Sequence, residues 1–157
     1  MHSEHEQVIE ESENEKKNPE ELLRNGNTIQ LKPNGWSMYP LFVPGRDWAI
    51  LSPVDPLFLK RGDVALFRRP GSILVMHRIW KRKGNEFWFV GDNLPDIEGP
   101  VEPAQIAGKL TYFIRKGKKY SVANPGYKIL STIWLWMRPL RPAIHGFMRI
   151  VRHQKKS

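Results

Sequence analysis

The middle of the chain alternates apolar and polar positions over short runs separated by glycine, proline or aspartate. Such runs are typical of β-strands, in which successive side chains point to opposite faces. The pattern predicts strands at residues 28–32, 48–51, 63–68, 73–80, 86–90 and 108–114, and the segment KRKGNEF at residues 81–87 predicts a hairpin turn between two of them. No long helical segment separates them, so a mainly β fold is favoured over a parallel β-α-β layout. We expect an irregular β-barrel or a folded sheet.

Helical patterns flank this region. Asn18 followed by Pro19 is a helix start signal and predicts one or two helical turns before Gly26. After residue 124, apolar side chains recur at helical spacing, and Pro139 and Pro142 are expected to divide this segment into two short helices. The sequence therefore predicts a β core with a short N-terminal helix and one or two C-terminal helices.

Charge divides the chain at nearly the same points. The net charge of +9 conceals an acidic segment over residues 1–26, with eight acidic and three basic residues. We expect that segment to be largely disordered apart from its short helix. Residues 27–122 then form the β domain, and residues 123–157 a basic, amphipathic helical tail.

Several classes of function are disfavoured by composition. The chain has no cysteine, which excludes thiolate metal sites and cysteine nucleophiles, and its histidines lack metal-ligand spacing. We expect no metal and no cofactor. A nucleic-acid partner is not favoured, because no aromatic platform or helix-turn-helix pattern accompanies the basic residues.

Location follows from what the sequence lacks. The first residues carry no secretory signal, and the longest apolar run is too short to span a bilayer. We expect a cytoplasmic or peripherally membrane-associated protein. The basic tail, with Trp134, Trp136 and the nearby Trp80, would suit contact with an anionic membrane; core packing or a subunit contact is the alternative.

Candidate chemistry centres on Ser37, in the stretch GWSMYPLF at residues 35–42. A serine among large apolar neighbours is either a buried hydrogen-bonding group or a nucleophile beside an apolar groove. His77 lies in a predicted strand among β-branched aliphatic residues, where partial desolvation would keep it neutral and able to act as a general base. Asp92 and Asp96, in a later loop, are candidates to orient that imidazole.

The order and context of these residues resemble the type I signal peptidase family, in the branch that uses histidine as the base. The resemblance rests on five segments: GWSMYPLF, LKRGDVALFRRP, VMHRI, FVGDNLPD and IAGKLTYFI. It implies a signal-peptidase-like or LexA-like β core in which Ser37 is the nucleophile, His77 the base and Asp96 the orienting acid. Asp92 would brace the loop or share that role, and Met38, Leu41 and Phe42 would line the substrate groove.

The resemblance implies a serine endopeptidase that cleaves a leader or precursor peptide after small residues. Most relatives carry a membrane anchor before the serine segment, where this chain has its acidic segment, and many carry a serine at the position of Gly35. Two other interpretations remain open. One is a catalytically idle module that binds a peptide in the same groove, and the other is a self-cleaving switch of the LexA type.

Overall fold

The structure, a computed structural model, describes residues 18–71 and 73–154. The disorder predicted for residues 1–17 therefore lies outside the described residues, as do the last basic residues of the chain. In the helix that ends the described part, several side chains are likewise not described.

The described chain is mainly β, as predicted. Every strand pairing is antiparallel. The strands are β1 Ile29–Leu31, β2 Asp47–Ser52, β3 Val64–Arg68, β4 Leu74–Lys83, β5 Glu86–Val90, β6 Ile97–Val101, β7 Ile106–Arg115 and β8 Lys118–Ser121. Glycine at position 84, with φ of 58°, makes the turn of the predicted β4–β5 hairpin.

These strands form one open sheet in the order β1-β2-β7-β3-β4-β5-β6, with β8 paired to β7. Strands β3 and β8 share one edge of β7, and β2 occupies the other edge. Within the residues that the structure describes, no pairing joins β6 to β1, so a closed barrel is not formed. Of the two expected forms, the sheet is the one observed.

Two edge strands, β6 and β8, were absent from the prediction. Strand β6 contains Gly99 and Pro100, residues typical of turns, and proline is tolerated there because the strand lies at the edge of the sheet. Strand β8 begins with two lysines, and charged residues commonly protect sheet edges. Because of these residues, the local sequence did not predict either strand.

The helices follow the predicted signals. Helix α1 spans Pro19–Arg24, and the side chain of Asn18 accepts a hydrogen bond from the Glu20 amide. Helix α2 spans Pro125–Trp136 and α3 spans Arg141–Gln154, with a 3₁₀ turn at Arg138–Leu140 between them. Among the described residues, none of these helices is long and apolar enough to cross a membrane.

Apolar side chains pack on both faces of the sheet. On β3, Val64 and Leu66 contribute to one cluster, while Ala65 and Phe67 contribute to the other. The first cluster is covered by α1 and by the turn around Ser37, through Met38 and Phe42. The second contains residues of β4, β5 and β6, and this is the face on which His77 lies.

Candidate active site

His77 is held on β4 in the middle of the sheet. It pairs with Ala65 of β3, and its side chain is only 2% exposed. The ring of Phe67 packs edge-on against the imidazole, with 6.2 Å between the ring centroids. The pairing of His77 with β3 and the contact of its ring with Phe67 thus fix the orientation of the imidazole.

The partner of His77 is Glu98. Nδ1 of His77 lies 2.6 Å from Oε1 of Glu98. Glu98 is on β6, opposite Phe89 of β5, and the same face therefore carries the carboxylate and the imidazole. Arg69 in turn donates two hydrogen bonds to Glu98, from Nε at 2.6 Å and from a terminal nitrogen at 2.9 Å. The three side chains form a continuous chain.

Protonation states follow from these contacts. Burial lowers the pKa of His77 below its ordinary value of 6.5, and the hydrogen bond that the imidazole donates to Glu98 opposes this shift without cancelling it. Burial would raise the pKa of Glu98, but the hydrogen bonds from Arg69 and His77 outweigh it and lower that pKa. At neutral pH Glu98 is therefore an ionised acceptor, and a neutral His77 carries its proton on Nδ1.

The second ring nitrogen of His77 is left unused by the protein. Nε2 has no hydrogen-bond partner among the described residues. The imidazole as a whole is buried, at 2% exposed. A neutral imidazole with an unprotonated Nε2 is the form that a general base requires.

Neither carboxylate predicted to orient His77 occupies that position. Asp92 is buried and makes a two-point ion pair with Arg78, with both N–O distances 2.8 Å. Asp96 is exposed and makes no hydrogen bond or ion pair with any described residue. The orienting contact expected of Asp96 belongs instead to Glu98, two residues further along the chain, because β6 turns that side chain towards β4.

The Arg78–Asp92 pair braces the loop. Burial alone would lower the pKa of Arg78, but the Asp92 carboxylate outweighs it and raises that pKa. Arg78 also donates to the carbonyl oxygen of Gly62 at 2.8 Å. This arrangement fits the bracing role that was one of the two expected for Asp92.

We expect Asp92→Asn to lower the free energy of unfolding by about 3–5 kcal/mol, since it leaves the buried Arg78 guanidinium without its counter-charge. Urea unfolding measures this directly. The matched variant Asp96→Asn, at an exposed carboxylate in the same loop, should unfold like the wild type. Equal midpoints for the two variants would contradict the bracing role.

Ser37 lies half-buried in a turn against the end of β5. Its carbonyl oxygen accepts a hydrogen bond of 2.9 Å from the amide of Asn93. A Cβ at Gly91 would stand 2.7 Å from that same oxygen, so only glycine permits this approach. The amides of Ser37 and Met38 donate to no described residue. Two N–H groups are thus free beside the serine hydroxyl.

The loop after β5 connects Ser37 to His77. Arg78 pairs with Val90 in the last step of the β4–β5 ladder, so the residues that follow it on the two sides are His77 and Gly91. Ser37 therefore packs on the residue that follows the ladder beside His77. Among the described residues, no hydrogen bond joins the Ser37 hydroxyl to the imidazole.

Gly91→Ala is expected to reduce activity about 100-fold, because the added methyl must displace the Ser37 backbone, and ångström-scale misplacement has effects of this size. The measurement is kcat/KM on a cleaved peptide. Gly35→Ala is the matched control, since a Cβ there meets nothing within 4 Å. Equal rates in the two variants would show that the contact at Gly91 does not position Ser37.

The three residues expected to line a groove have different environments. Met38 and Phe42 are 2% and 0% exposed and belong to the core, where they anchor the turn. Leu41 is partly buried and lines a cavity of about 590 Å³ between this turn, β7, β8 and α2. That cavity also reaches Asp92 and Tyr127, but neither Ser37 nor His77 lines it.

The C-terminal helices fix the loop from its other side. The indole of Trp134 donates to the carbonyl oxygen of Asp92 at 3.0 Å, and Arg141 donates to that of Gly91 at 3.1 Å. Arg141 is itself buried, at 3% exposed. The sequence interpretation grouped Trp134 with side chains facing a membrane, whereas in the structure it faces the loop.

Glu98 and Arg69 are the two members of the site that sequence reasoning missed. Glu98 precedes Gly99 and Pro100, residues typical of turns, so the sequence predicts a loop there. Arg69 lies in the segment LKRGDVALFRRP, in which the sequence predicts no residue of the site. The signal that could have found Glu98 is its position on a strand adjacent to β5, which requires the pairing of β6 to be known.

No described group of three or more His, Cys, Asp or Glu side chains is arranged to hold a metal ion. No protein-family model, curated protein or solved structure matches the chain.

Proposed function

We propose that this protein is a serine endopeptidase in which Ser37 is the nucleophile, His77 the general base and Glu98 the acid that orients the base. The observation that carries this proposal is the 2.6 Å contact between His77 Nδ1 and Glu98, which leaves Nε2 of a neutral imidazole without a hydrogen-bond partner among the described residues. Ser37 is linked to this strand through the backbone, because it packs on Gly91, which follows the β4–β5 ladder opposite His77. A buried neutral histidine held by an ionised carboxylate is the arrangement that activates a hydroxyl.

In the first half of the reaction, Nε2 of His77 takes the proton of the Ser37 hydroxyl as its oxygen attacks the peptide carbonyl carbon. The imidazolium that forms is stabilised by Glu98, which stays ionised. When the tetrahedral intermediate collapses, the C–N bond breaks and Nε2 gives its proton to the leaving amine. An acyl-serine ester at position 37 remains.

In the second half, water attacks this ester with His77 again as the base, which releases the new carboxyl terminus and restores the serine. The oxyanion of each intermediate requires preorganised donors. The free amides of Ser37 and Met38 are the candidates, since neither donates to a described residue. Because Gly35 offers no side-chain hydroxyl, this hole would be built from backbone groups.

The resemblance in sequence suggests the signal-peptidase type of fold and cleavage of a leader or precursor peptide after small residues. The open antiparallel sheet is compatible with that type. Under this proposal, Glu98 takes the role that the resemblance assigned to Asp96.

A second candidate is a catalytically idle module that binds peptides at the same place. It is favoured by two observations. Among the described residues, no hydrogen bond joins the Ser37 hydroxyl to His77. The turn that bears this serine packs through Met38 and Phe42 on the face of the sheet opposite to His77. Catalytic hydrogen bonds in unliganded enzymes are often long and tighten only when substrate is bound, so the missing hydrogen bond is compatible with both candidates.

Digestion of a complex peptide library by purified protein, with new termini identified by mass spectrometry, tests the proposal. We expect cuts after small residues that are absent from a parallel digest with the Ser37→Ala form. A folded wild-type sample whose cuts all persist in Ser37→Ala would overturn the proposed chemistry. A folded sample that makes no cuts, but retains library peptides on a column, would favour the idle module.

A further inference from the structure

Each of the two C-terminal helices exposes large apolar side chains. On α2, Ile129, Leu130, Ile133 and Trp136 are 50–70% exposed, and their spacing places them on one side of the helix. On α3, Phe147 and Ile150 are 67% and 59% exposed, at positions three apart. We refer to these six residues as the C-terminal apolar face.

The other side of α2 is fixed to the body of the protein. Leu135 is 3% exposed, and Trp134 donates to the loop after β5. At the start of α3, Arg141 is buried and donates to the same loop. The exposed apolar side chains of α2 are therefore held outward by contacts on the inner side of that helix, and α3 is attached to the loop at its first residue.

Charge identifies the kind of surface that would cover this face. From the start of α2 to the end, residues 125–157 contain seven lysine and arginine residues and no aspartate or glutamate. Exposed apolar side chains combined with an exclusively basic segment are the features of helices that lie on anionic bilayers, where the acyl region and the headgroups satisfy both.

We propose that the C-terminal apolar face docks this protein peripherally on an anionic bilayer surface. Two other occupants fit less well. A second copy would bring two basic segments together, which like charges disfavour. The acidic residues 1–17 match the charge, but apart from Met1 they offer only Val8 and Ile9 as apolar side chains.

Vesicle flotation of the full chain tests the proposal without relying on catalysis, so docking can fail while the peptidase proposal holds, and the reverse. The probes are vesicles of phosphatidylglycerol and phosphatidylcholine in equal parts, and vesicles of phosphatidylcholine alone. We expect the wild type to float with the anionic vesicles, to bind the neutral ones much less, and to be released by high salt.

The test variant replaces Ile129, Ile133 and Phe147 with serine, and its binding should fall by about tenfold or more, because interfacial binding scales with the apolar area inserted. The matched control replaces Leu57, Phe58 and Ile73 with serine. These are again one phenylalanine and two aliphatic residues with similar exposure, elsewhere on the surface. The control should bind like the wild type, and circular dichroism should show both variants folded.

Three results would overturn the proposal. The wild type could remain unbound to the anionic vesicles, or bind neutral vesicles equally well. Both triple variants could lose binding alike, which would indicate general stickiness in place of a defined face. Finally, the wild type could bind no vesicles and instead form a dimer that the test variant loses and the control variant keeps. A second copy would then be the occupant.

Discussion

Replacing Ser37 with alanine, or His77 with glutamine, is expected to reduce kcat/KM by about 10⁴- to 10⁶-fold. The first variant removes the atom that attacks the carbonyl. The second removes the nitrogen that accepts the serine proton. Because the two groups act in one step, the double variant should be little worse than either single variant.

The non-additive loss distinguishes a catalytic pair from two residues that merely support the fold. Rates are measured on a single peptide taken from the library digest, and circular dichroism establishes that each variant is folded. Ser131→Ala, at a half-buried serine of α2, is the control and should keep the wild-type rate. If the two single losses multiply in the double variant, Ser37 and His77 do not act together.

Glu98→Gln is expected to reduce kcat/KM by about 10³- to 10⁴-fold, whereas Asp96→Asn should leave it unchanged. Glutamine can still accept the hydrogen bond from Nδ1 of His77, which is 2.6 Å from the carboxylate in the wild type. It cannot stabilise the imidazolium by charge. The loss therefore appears mainly in kcat, while KM changes little.

The comparison also separates the two assignments of the orienting acid. The sequence resemblance points to Asp96, and the hydrogen bond at His77 points to Glu98. A large loss in Asp96→Asn with an active Glu98→Gln would reverse the assignment. It would require the loop after β5 to rearrange when substrate binds.

Local signals in the sequence predicted much of the fold. The cap at Asn18, the glycine turn of the β4–β5 hairpin and the prolines at positions 139 and 142 each act within a few residues. The alternation of apolar and polar residues located six of the eight strands for a similar reason. Such signals do not depend on which strand pairs with which.

The contacts of the site depend on that pairing and could not be predicted in the same way. Glu98 reaches His77 only because β6 adds to β5 in a register that places Glu98 opposite Phe89. Asp92 does not contact His77, because its carboxylate binds Arg78, which points to the other face of β4. Three carboxylates lie within seven residues, and only the register distinguishes them.

The pH dependence of kcat/KM tests the central claim. This claim is that His77, kept neutral by burial and oriented by Glu98, activates Ser37. The base works only when unprotonated, so activity is lost as the pH falls through the pKa of His77. Since burial lowers that pKa, the wild-type acid limb should lie below pH 6.5. A profile of kcat/KM against pH reports the pKa of the base in the free enzyme.

Two variants should move that limb in opposite directions. Glu98 raises the pKa of His77, so the acid limb of the residual activity of Glu98→Gln should lie at lower pH than that of the wild type. The positive charge of Arg69 lowers the same pKa, so Arg69→Leu should move the limb to higher pH. These three profiles, recorded on one peptide, are the measurement we would make. A wild-type limb above pH 6.5 that neither variant moves would contradict the assignment of His77 as the base.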